Sequence, residues 1–219
     1  GYPRNDILYS ERADEIAKEV KKEFGIPEDK RVILYAPTWR DNQFYGKGKY
    51  KFTLAMDLER MRKEFGKDSV ILLRTHYYIA DSLDLTGLED FVYNGSTYND
   101  VSRLYLASDI CITDYSSVFF DYANLRRPML FFAYDYEDYK DEIRGMYFDM
   151  NTELPGPIVQ TNDELVDALH HIDEISKKYK KRYDRFYDKF CHVDDGHASK
   201  RAIDIVFEGA KPTFAETEE

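Results

Sequence analysis

The sequence has few cysteines and no long apolar run, and each shortage excludes a class of protein. Cys111 and Cys191 are its two cysteines, and neither belongs to a CxxC pair, which argues against a disulfide framework or a cysteine metal clip. A chain without disulfides is typical of a reducing compartment, so we predict a cytoplasmic location. No stretch of about 18 consecutive apolar residues occurs and no signal-peptide pattern opens the chain, so no membrane-spanning helix is predicted.

Positive charge is also in short supply, because the formal net charge is −11. Proteins that bind nucleic acids usually carry a basic excess, since contacts with phosphates dominate their affinity. We therefore predict no nucleic-acid partner. A small phosphorylated ligand needs only a few local cations, so the acidic balance leaves such a ligand open.

Motifs for several common cofactors are missing too. Neither GxGxxG nor GxxxxGK[ST] occurs, so the usual dinucleotide and P-loop signatures are absent. His192 and His197 flank an Asp-Asp-Gly turn, but no second group of metal ligands accompanies them. The sequence therefore predicts no metal site and no cofactor.

What the sequence does contain is an alternation of charged amphipathic runs and short apolar runs. The amphipathic runs predict helices, and the apolar runs predict strands buried on both faces of a parallel sheet. This alternation indicates βαβ units, so we predict an α/β fold with a Rossmann-like parallel sheet flanked by helices. The predicted strands are 32–36, 69–74, 91–93, 110–113, 129–134 and 156–160, and the predicted helices are 10–24, 54–65, 99–107, 117–126, 161–171, 175–190 and 198–207.

The length of 219 residues, with 43 % hydrophobic residues, fits one such domain. We assign residues 1–208 to the domain and 209–219 to a polar tail that frays. Residues 41–51, with three lysines and three aromatics, predict a mobile loop after the first strand. The opening Gly-Tyr-Pro-Arg-Asn-Asp is more typical of the middle of a longer protein, so we expect an excised domain.

Three basic residues follow the first two predicted strands, and ligands of open parallel sheets bind beyond the carboxyl ends of the strands. Arg40 comes after the first strand, and its guanidinium presents a rigid donor fork suited to phosphate. Arg74 and His76 end the second strand, where the histidine could bind a phosphate or protonate a leaving group. Alternatively, Arg40 is an ordinary surface arginine and His76 is structural.

The turn after the fourth strand is the most informative stretch. Thr113 and Asp114 end the strand, Ser116 and Ser117 follow, and a helix is predicted to begin there. Either serine is a good N-cap, and backbone N–H groups at a helix start favour an anion such as a diphosphate. An ordinary capped helix would have the same spacing.

An acidic segment follows the fifth strand. Asp135, Glu137 and Asp138 are rich in acceptors, and acids in this place often hold ribose hydroxyls in nucleotide-sugar enzymes. Arg144, beside Gly145, could reach back toward a phosphate. A solvated acidic loop is the other interpretation.

Several short segments, in this order, resemble a known family. They are Gly1-Tyr2-Pro3-Arg4-Asn5-Asp6, Leu34-Tyr35-Ala36-Pro37-Thr38-Trp39-Arg40, Arg74-Thr75-His76, Ser108-Asp109, Thr113-Asp114-Tyr115-Ser116-Ser117, Arg127-Pro128, Tyr134-Asp135, Arg144-Gly145 and Asp195-Gly196-His197-Ala198-Ser199. From residue 1 to about residue 208, the chain resembles the CDP-glycerol glycerophosphotransferase family.

The resemblance implies the nucleotide-binding C-terminal half of a GT-B architecture, in which two Rossmann-like domains flank the active site. It implies that His76 is catalytic and that Asp114 helps to set the loop. The substrate-binding residues that we predict are Arg40, Arg74, Asp114, Ser116, Ser117, Asp135 and Arg144.

The implied activity is the transfer of glycerol phosphate from CDP-glycerol to a polyol-phosphate polymer of the teichoic-acid type, with CMP as the leaving group. The family's N-terminal domain carries a His-Gly-Thr-Pro-type segment whose histidine is the base, and this sequence has no such segment. The resemblance therefore implies that this chain binds the donor but does not polymerise alone. It also implies that the partner of this chain is an N-terminal domain that is missing here.

Three alternatives remain open at this point. The donor could be CDP-ribitol, or the chain could come from another nucleotide-sugar GT-B transferase. It could also be a non-catalytic module that meets a membrane or a partner protein through its 19 tyrosines and the lysines of residues 47–51. The lysine run 177–181 is either a solvated helix face or a contact with anionic lipid, so we expect a peripheral location at the inner face of the cell membrane for the whole protein.

Overall fold

A six-stranded parallel sheet forms the centre of the molecule. The structure is a computed structural model that describes residues 1–38, 54–76, 83–136 and 148–209. The strand order is β3-β2-β1-β4-β5-β6, and every pairing in this sheet is parallel. This order, which reverses direction between β1 and β4, is that of the Rossmann fold, so the predicted fold class is confirmed. The strands are β1 Arg31–Ala36, β2 Ser69–Leu73, β3 Val92–Asn94, β4 Ile110–Thr113, β5 Met129–Phe132 and β6 Ile158–Val159.

Helices cover both faces of the sheet, and several begin later than the sequence pattern predicts. Asp57 and Asp100 each accept a hydrogen bond from a backbone N–H of the first turn, so α2 and α3 begin after these caps. The helices in the described residues are α1 Ala13–Phe24, α2 Leu58–Phe65, α3 Val101–Ala107, α4 Val118–Tyr122, α5 Met150–Glu153, α6 Asn162–His170, α7 Ile172–Phe190 and α8 Ala198–Phe207.

The sheet divides the core into two clusters. Alternate side chains of each strand point to opposite faces, so Leu34 and Leu72 belong to one cluster while Ile33 and Ile71 belong to the other. Both sets are almost completely buried. Burial on both faces explains why the strands read as continuous apolar runs in the sequence.

The two ends of the described chain bind each other through a segment that the sequence pattern did not predict as structured. Residues Pro3–Tyr9 form a 3₁₀-helix. From this segment, the Asn5 amide donates to Asp194 Oδ2 at 2.8 Å, and Asp6 accepts the backbone N–H groups of Ala198 and Ser199 at 2.9 and 2.7 Å. We call this contact the terminal clasp, formed by Tyr2, Asn5, Asp6, Asp194, Ala198 and Ser199.

Close backbone approach keeps the terminal clasp compact. The Tyr2 N–H donates to Asp194 Oδ1 at 2.6 Å. Gly196 has a φ of +81°, and a Cβ at this position would lie 2.8 Å from the Cβ of Tyr9. Only glycine satisfies both the left-handed conformation and this contact without strain.

The longest helix, α7, is a surface element with a dense run of cations. Its 19 residues include the lysine run 177–181, which lies on exposed or half-buried positions. Among the residues that the structure describes, no helix is both long enough and apolar enough to cross a bilayer.

Candidate functional site

A groove of about 620 Å³ opens at the carboxyl ends of β1, β2 and β4. Four of the predicted site residues line it, namely Arg74, His76, Ser116 and Ser117. Thr38, which follows β1, lines it as well. The loops after three neighbouring strands therefore converge at the place where open parallel sheets bind ligands.

Arg74 brings a positive charge to the groove and also holds a neighbouring loop in place. Its Nη1 donates to the backbone carbonyls of Gly95, Ser96 and Tyr98 at 2.7, 2.8 and 2.8 Å. These bonds hold the loop between β3 and α3 against the end of β2. Burial lowers the pKa of the guanidinium, which remains a cation at any physiological pH. Nε and Nη2 have no acceptor among the described residues, so part of the donor fork remains for a ligand.

Asp114 lies under the groove rather than in its wall. The residue is 1 % exposed, and its Oδ1 accepts three hydrogen bonds, from Thr38 N–H at 2.8 Å, Thr38 Oγ1 at 2.5 Å and Tyr115 N–H at 2.7 Å. The carboxylate thus ties the loop after β1 to the loop after β4. This contact fixes the relative positions of the two loops that face the groove.

The serine turn differs in detail from the predicted cap. Helix α4 begins at Val118, and Ser117 is already in helical conformation with φ −59°, so its hydroxyl forms no cap bond. Ser116 Oγ accepts a long hydrogen bond of 3.4 Å from Val118 N–H. Helix α4 ends at Tyr122 and is followed by a short 3₁₀-turn, Ala123–Leu125, which ends at Arg126 in a left-handed conformation with φ +53°. Neither serine hydroxyl is engaged in a strong cap, which leaves both able to meet a ligand.

The remaining predicted residues are distributed unevenly. His76 is exposed and lies in the groove wall. Asp135 does not line the groove, but its Oδ1 accepts a 3.0 Å hydrogen bond from the hydroxyl of Tyr115, which belongs to the β4 loop. Arg40 and Arg144 lie outside the described residues, as do Glu137, Asp138, the predicted loop 41–51 and most of the predicted tail.

An ion pair that the sequence did not predict completes the groove. Arg4 Nε and Nη2 donate to Asp121 Oδ2 and Oδ1, both at 3.0 Å, and both residues line the groove. The side-chain hydrogen bond to Asp121 raises the pKa of the Arg4 guanidinium. Helical spacing could have indicated Asp121, which follows Ser117 by one turn, but no local signal pairs it with a residue 117 positions away.

The lining residues of the groove carry more positive than negative charge. Two arginines, Arg4 and Arg74, stand against the single carboxylate of Asp121 among its lining residues. In the part of the chain that the structure describes, no three His, Cys, Asp or Glu side chains are grouped to hold a metal ion. The arrangement offers hydroxyls, a histidine and guanidinium groups, which are donors suited to phosphoryl oxygens.

Comparison with known proteins decides the family. The model of the family described as CDP-Glycerol:Poly(glycerophosphate) glycerophosphotransferase matches residues 1–208. The chain belongs to this family. The resemblance predicted from the ordered segments is therefore confirmed.

Individual relatives agree with this assignment. Over 207 residues the chain is 49 % identical to the teichoic acid poly(glycerol phosphate) polymerase of Bacillus subtilis (strain 168). The aligned region covers 94 % of this chain and 28 % of the relative. The chain is 35 % identical over 211 residues to the teichoic acid poly(ribitol-phosphate) polymerase of Bacillus spizizenii, covering 94 % of this chain and 33 % of that protein.

A solved structure shows the same fold. The wall teichoic acid polymerase TagF superposes with a TM-score of 0.88 at 49 % identity, covering 95 % of this chain and 51 % of that one. Another structure of TagF, with a TM-score of 0.84, was obtained after a soak with CDPG. The chain thus spans about half of the TagF chain, or less than a third of the B. subtilis relative.

Proposed function

We propose that this chain is the donor-binding half of a glycerophosphotransferase that uses CDP-glycerol. The observation that supports this most directly is the groove, where His76, Arg74, Ser116 and Ser117 from two separate strand ends meet beside the switch in strand order. Family membership supplies the substrate class, since relatives that match nearly the whole chain are glycerol phosphate polymerases.

The diphosphate of the donor lies, in this proposal, at the serine turn. The Ser116 and Ser117 hydroxyls donate to phosphoryl oxygens, and the spare nitrogens of Arg74 offset their charge. Arg40 and Arg144 are proposed as further phosphate contacts, and Asp135 as a contact of the nucleotide or the glycerol. The carboxylate of Asp114 acts indirectly, because it holds the loops in place.

The reaction proposed for the whole enzyme is a phosphoryl transfer. An acceptor hydroxyl of a teichoic-acid-type polymer attacks the β-phosphorus of CDP-glycerol, and the bond from that phosphorus to the bridging oxygen breaks. The electron pair leaves with CMP, while the acceptor proton passes to a base. We propose that this base belongs to a further, N-terminal domain. His76 donates a hydrogen bond or a proton to the departing phosphate. Charge that accumulates on the phosphoryl oxygens is stabilised by the fixed donors of the groove.

A calorimetric titration of the chain tests the donor site. We expect CDP-glycerol to bind with a heat signal and CDP-ribitol or a UDP-sugar to bind at least tenfold more weakly. Replacing His76→Ala should weaken CDP-glycerol binding by about tenfold, which corresponds to one lost charged hydrogen bond. No binding of any cytidine nucleotide by the unaltered, folded chain would contradict the proposal.

Catalysis is expected to need more than this chain. We expect the isolated chain to release no CMP from CDP-glycerol in the presence of a glycerol phosphate primer, because it lacks the proposed base. In a full-length relative, the substitution equivalent to His76→Ala should lower kcat/KM sharply. An unchanged kcat/KM would remove His76 from the mechanism.

CDP-ribitol is the second candidate donor, because ribitol-phosphate polymerases also match nearly the whole chain. The identity of 49 % to a glycerol phosphate polymerase against 35 % to a ribitol phosphate polymerase favours glycerol. Tighter binding of CDP-ribitol than of CDP-glycerol in the same titration would reverse this order.

We also propose that the full-length protein works at the inner face of the cell membrane. The lysine run of α7 is the surface that supports this, since clustered lysines attract anionic lipid. Sedimentation with vesicles of 30 % phosphatidylglycerol at low and high salt tests it. Equal sedimentation with neutral vesicles would contradict it.

A further inference from the structure

The Arg4–Asp121 ion pair lies in the groove wall but has no part in the phosphate contacts described above. Its bidentate geometry places two donor nitrogens of Arg4 against the two oxygens of Asp121 at 3.0 Å. The Asn5 amide adds a third hydrogen bond, to Asp121 Oδ1 at 3.1 Å. The Asp121 side chain is only 10 % exposed, whereas that of Arg4 is 54 % exposed. The pair is therefore anchored on the protein side and open on the groove side.

The position of the pair relative to the serine turn follows from helix geometry. Asp121 comes four positions after Ser117 across the start of α4, so the two side chains lie on one face, roughly 5–6 Å apart at Cβ. A group bound at the pair is thus a direct neighbour of a diphosphate bound at Ser116 and Ser117.

The chemistry of the pair suits a neutral polar group better than another phosphate. Asp121 offsets the charge of Arg4, so the pair as a whole attracts a phosphate less than a free arginine would. A guanidinium has five N–H donors and a carboxylate has about four acceptor sites, so after these three bonds about three donors and one acceptor remain. Neighbouring hydroxyl groups use donors and acceptors of this kind at the same time.

An apolar wall adjoins the pair in the groove. Val101 and the buried Tyr105 line the groove together with Arg4 and Asp121. The Ser102 hydroxyl donates to the backbone carbonyl of Arg4 at 3.1 Å, which fixes the arginine beside this wall. A polyol or a sugar presents C–H groups on one side and hydroxyls on another, and this combination matches both surfaces.

We propose that Arg4 and Asp121 form a subsite for a vicinal diol of the donor, which rests on the proposed binding of CDP-glycerol. Two parts of that donor carry a vicinal diol, the ribose and the glycerol, and both present the same chemistry to the pair. One hydroxyl donates to Asp121 Oδ2 while the other accepts from the Arg4 guanidinium.

Titration of the variant Arg4→Gln with three ligands tests the subsite. We expect CDP-glycerol to bind about tenfold more weakly than to the unaltered chain, at low and at raised salt alike. If the diol is the ribose, CDP loses the same factor and 2′-deoxy-CDP loses almost nothing. If the diol is the glycerol, CDP and 2′-deoxy-CDP both bind as before.

Other outcomes overturn the subsite. An equal loss of affinity for 2′-deoxy-CDP and inorganic pyrophosphate would mean that Arg4 contacts phosphate. Unchanged affinity for CDP-glycerol would mean that Arg4 does not contact the donor. The matched control is Arg126→Gln, which removes a half-exposed arginine paired with Asp184 away from the groove and should leave all affinities unchanged.

Further measurements distinguish a failure of the subsite from a folding defect of the variant and from a failure of the proposed function. If Arg4→Gln does not fold, the Nε–H signal of Arg4 in the NMR spectrum of the unaltered chain should shift with CDP-glycerol and not with pyrophosphate; identical shifts for both overturn the subsite. Failure of the unaltered chain to bind any cytidine nucleotide overturns the proposed function and the subsite together. Normal binding by a folded Arg4→Gln variant overturns the subsite alone.

Discussion

The groove and the terminal clasp both contain segments that resemble the family's motifs, but the polar residues of the two regions differ in burial and in their partners. In the clasp, Asn5 and Asp194 are 1 % and 5 % exposed, and the Asn5 amide N–H donates to the Asp194 carboxylate inside the protein. In the groove, His76 and Ser117 are exposed, and the Ser117 hydroxyl forms no cap bond. Under the proposed function, the polar residues of the clasp serve folding and those of the groove serve ligand binding, so we expect burial with internal partners to distinguish the two.

The largest expected effect belongs to the clasp. Asp194→Ala removes one of the two acceptors of the buried Asn5 amide and the acceptor of the Tyr2 N–H, and unsatisfied buried donors are costly. We expect a loss of about 3 kcal/mol in the free energy of unfolding, measured by urea denaturation. Donor affinity, measured at a temperature where the variant is folded, should change less than about threefold.

A matched control adjoins Asp194 in the sequence. Asp195 is exposed and pairs with Arg201, so Asp195→Asn should cost far less stability. Equal losses for the two variants would show that burial does not distinguish these carboxylates and would break the comparison.

Arg74 belongs to the groove by position but resembles a clasp residue by its contacts. Arg74→Gln removes the donor to three backbone carbonyls, so we expect a loss of about 2 kcal/mol in the free energy of unfolding together with weaker CDP-glycerol binding. Arg126→Gln removes an exposed ion pair and should leave the unfolding free energy within about 0.5 kcal/mol. A variant of Arg74 with full stability and weak binding would assign it to the ligand alone.

Ser117 should show the opposite behaviour. Ser117→Asp places a carboxylate where the diphosphate is proposed to lie, and the repulsion should weaken CDP-glycerol binding by at least about tenfold, or 1.4 kcal/mol. Because Ser117 is exposed and makes no cap bond, the unfolding free energy should change by less than about 0.5 kcal/mol. Calorimetric titration and urea denaturation of the same preparation measure both quantities.

Sequence patterns predicted the sheet well because the strands are buried on both faces. All six strands occur where apolar runs were found, although β5 ends at Phe132 and β6 is only Ile158–Val159. The 3₁₀-helix Pro3–Tyr9 was not predicted, because its residues are ordered by long-range contacts with 194–199 rather than by a local period.

The same limit applies to the site. Residues that directly follow strands, such as His76 and Ser116, could be placed at one edge of the sheet from topology alone. Arg4 could not, because its place depends on a hydrogen-bonded pair with Asp121 across the fold. Long-range polar pairing leaves no periodic signal in a single sequence.

The smallest expected effect concerns the pH dependence of the clasp. Burial alone raises the pKa of Asp6, but hydrogen bonds from Ser199 and Ala198 and the charge of Arg201 together lower it below its ordinary value of 3.8. A carboxylate at the start of α8 contributes about 0.5–1 kcal/mol when it is ionised. Since the folded pKa is the lower one, this contribution is present above about pH 4 and is lost as the pH falls through the folded pKa.

The variant Asp6→Asn cannot titrate and measures this contribution directly. The difference in unfolding free energy between the unaltered chain and Asp6→Asn should be largest near pH 6 and should shrink as the pH falls from 4 to 2. The pH range must extend that low because the folded pKa of Asp6 lies below its ordinary value of 3.8. A difference that grows on acidification would mean that the folded chain prefers Asp6 in its protonated form, and it would contradict the lowered pKa that its hydrogen bonds from α8 imply.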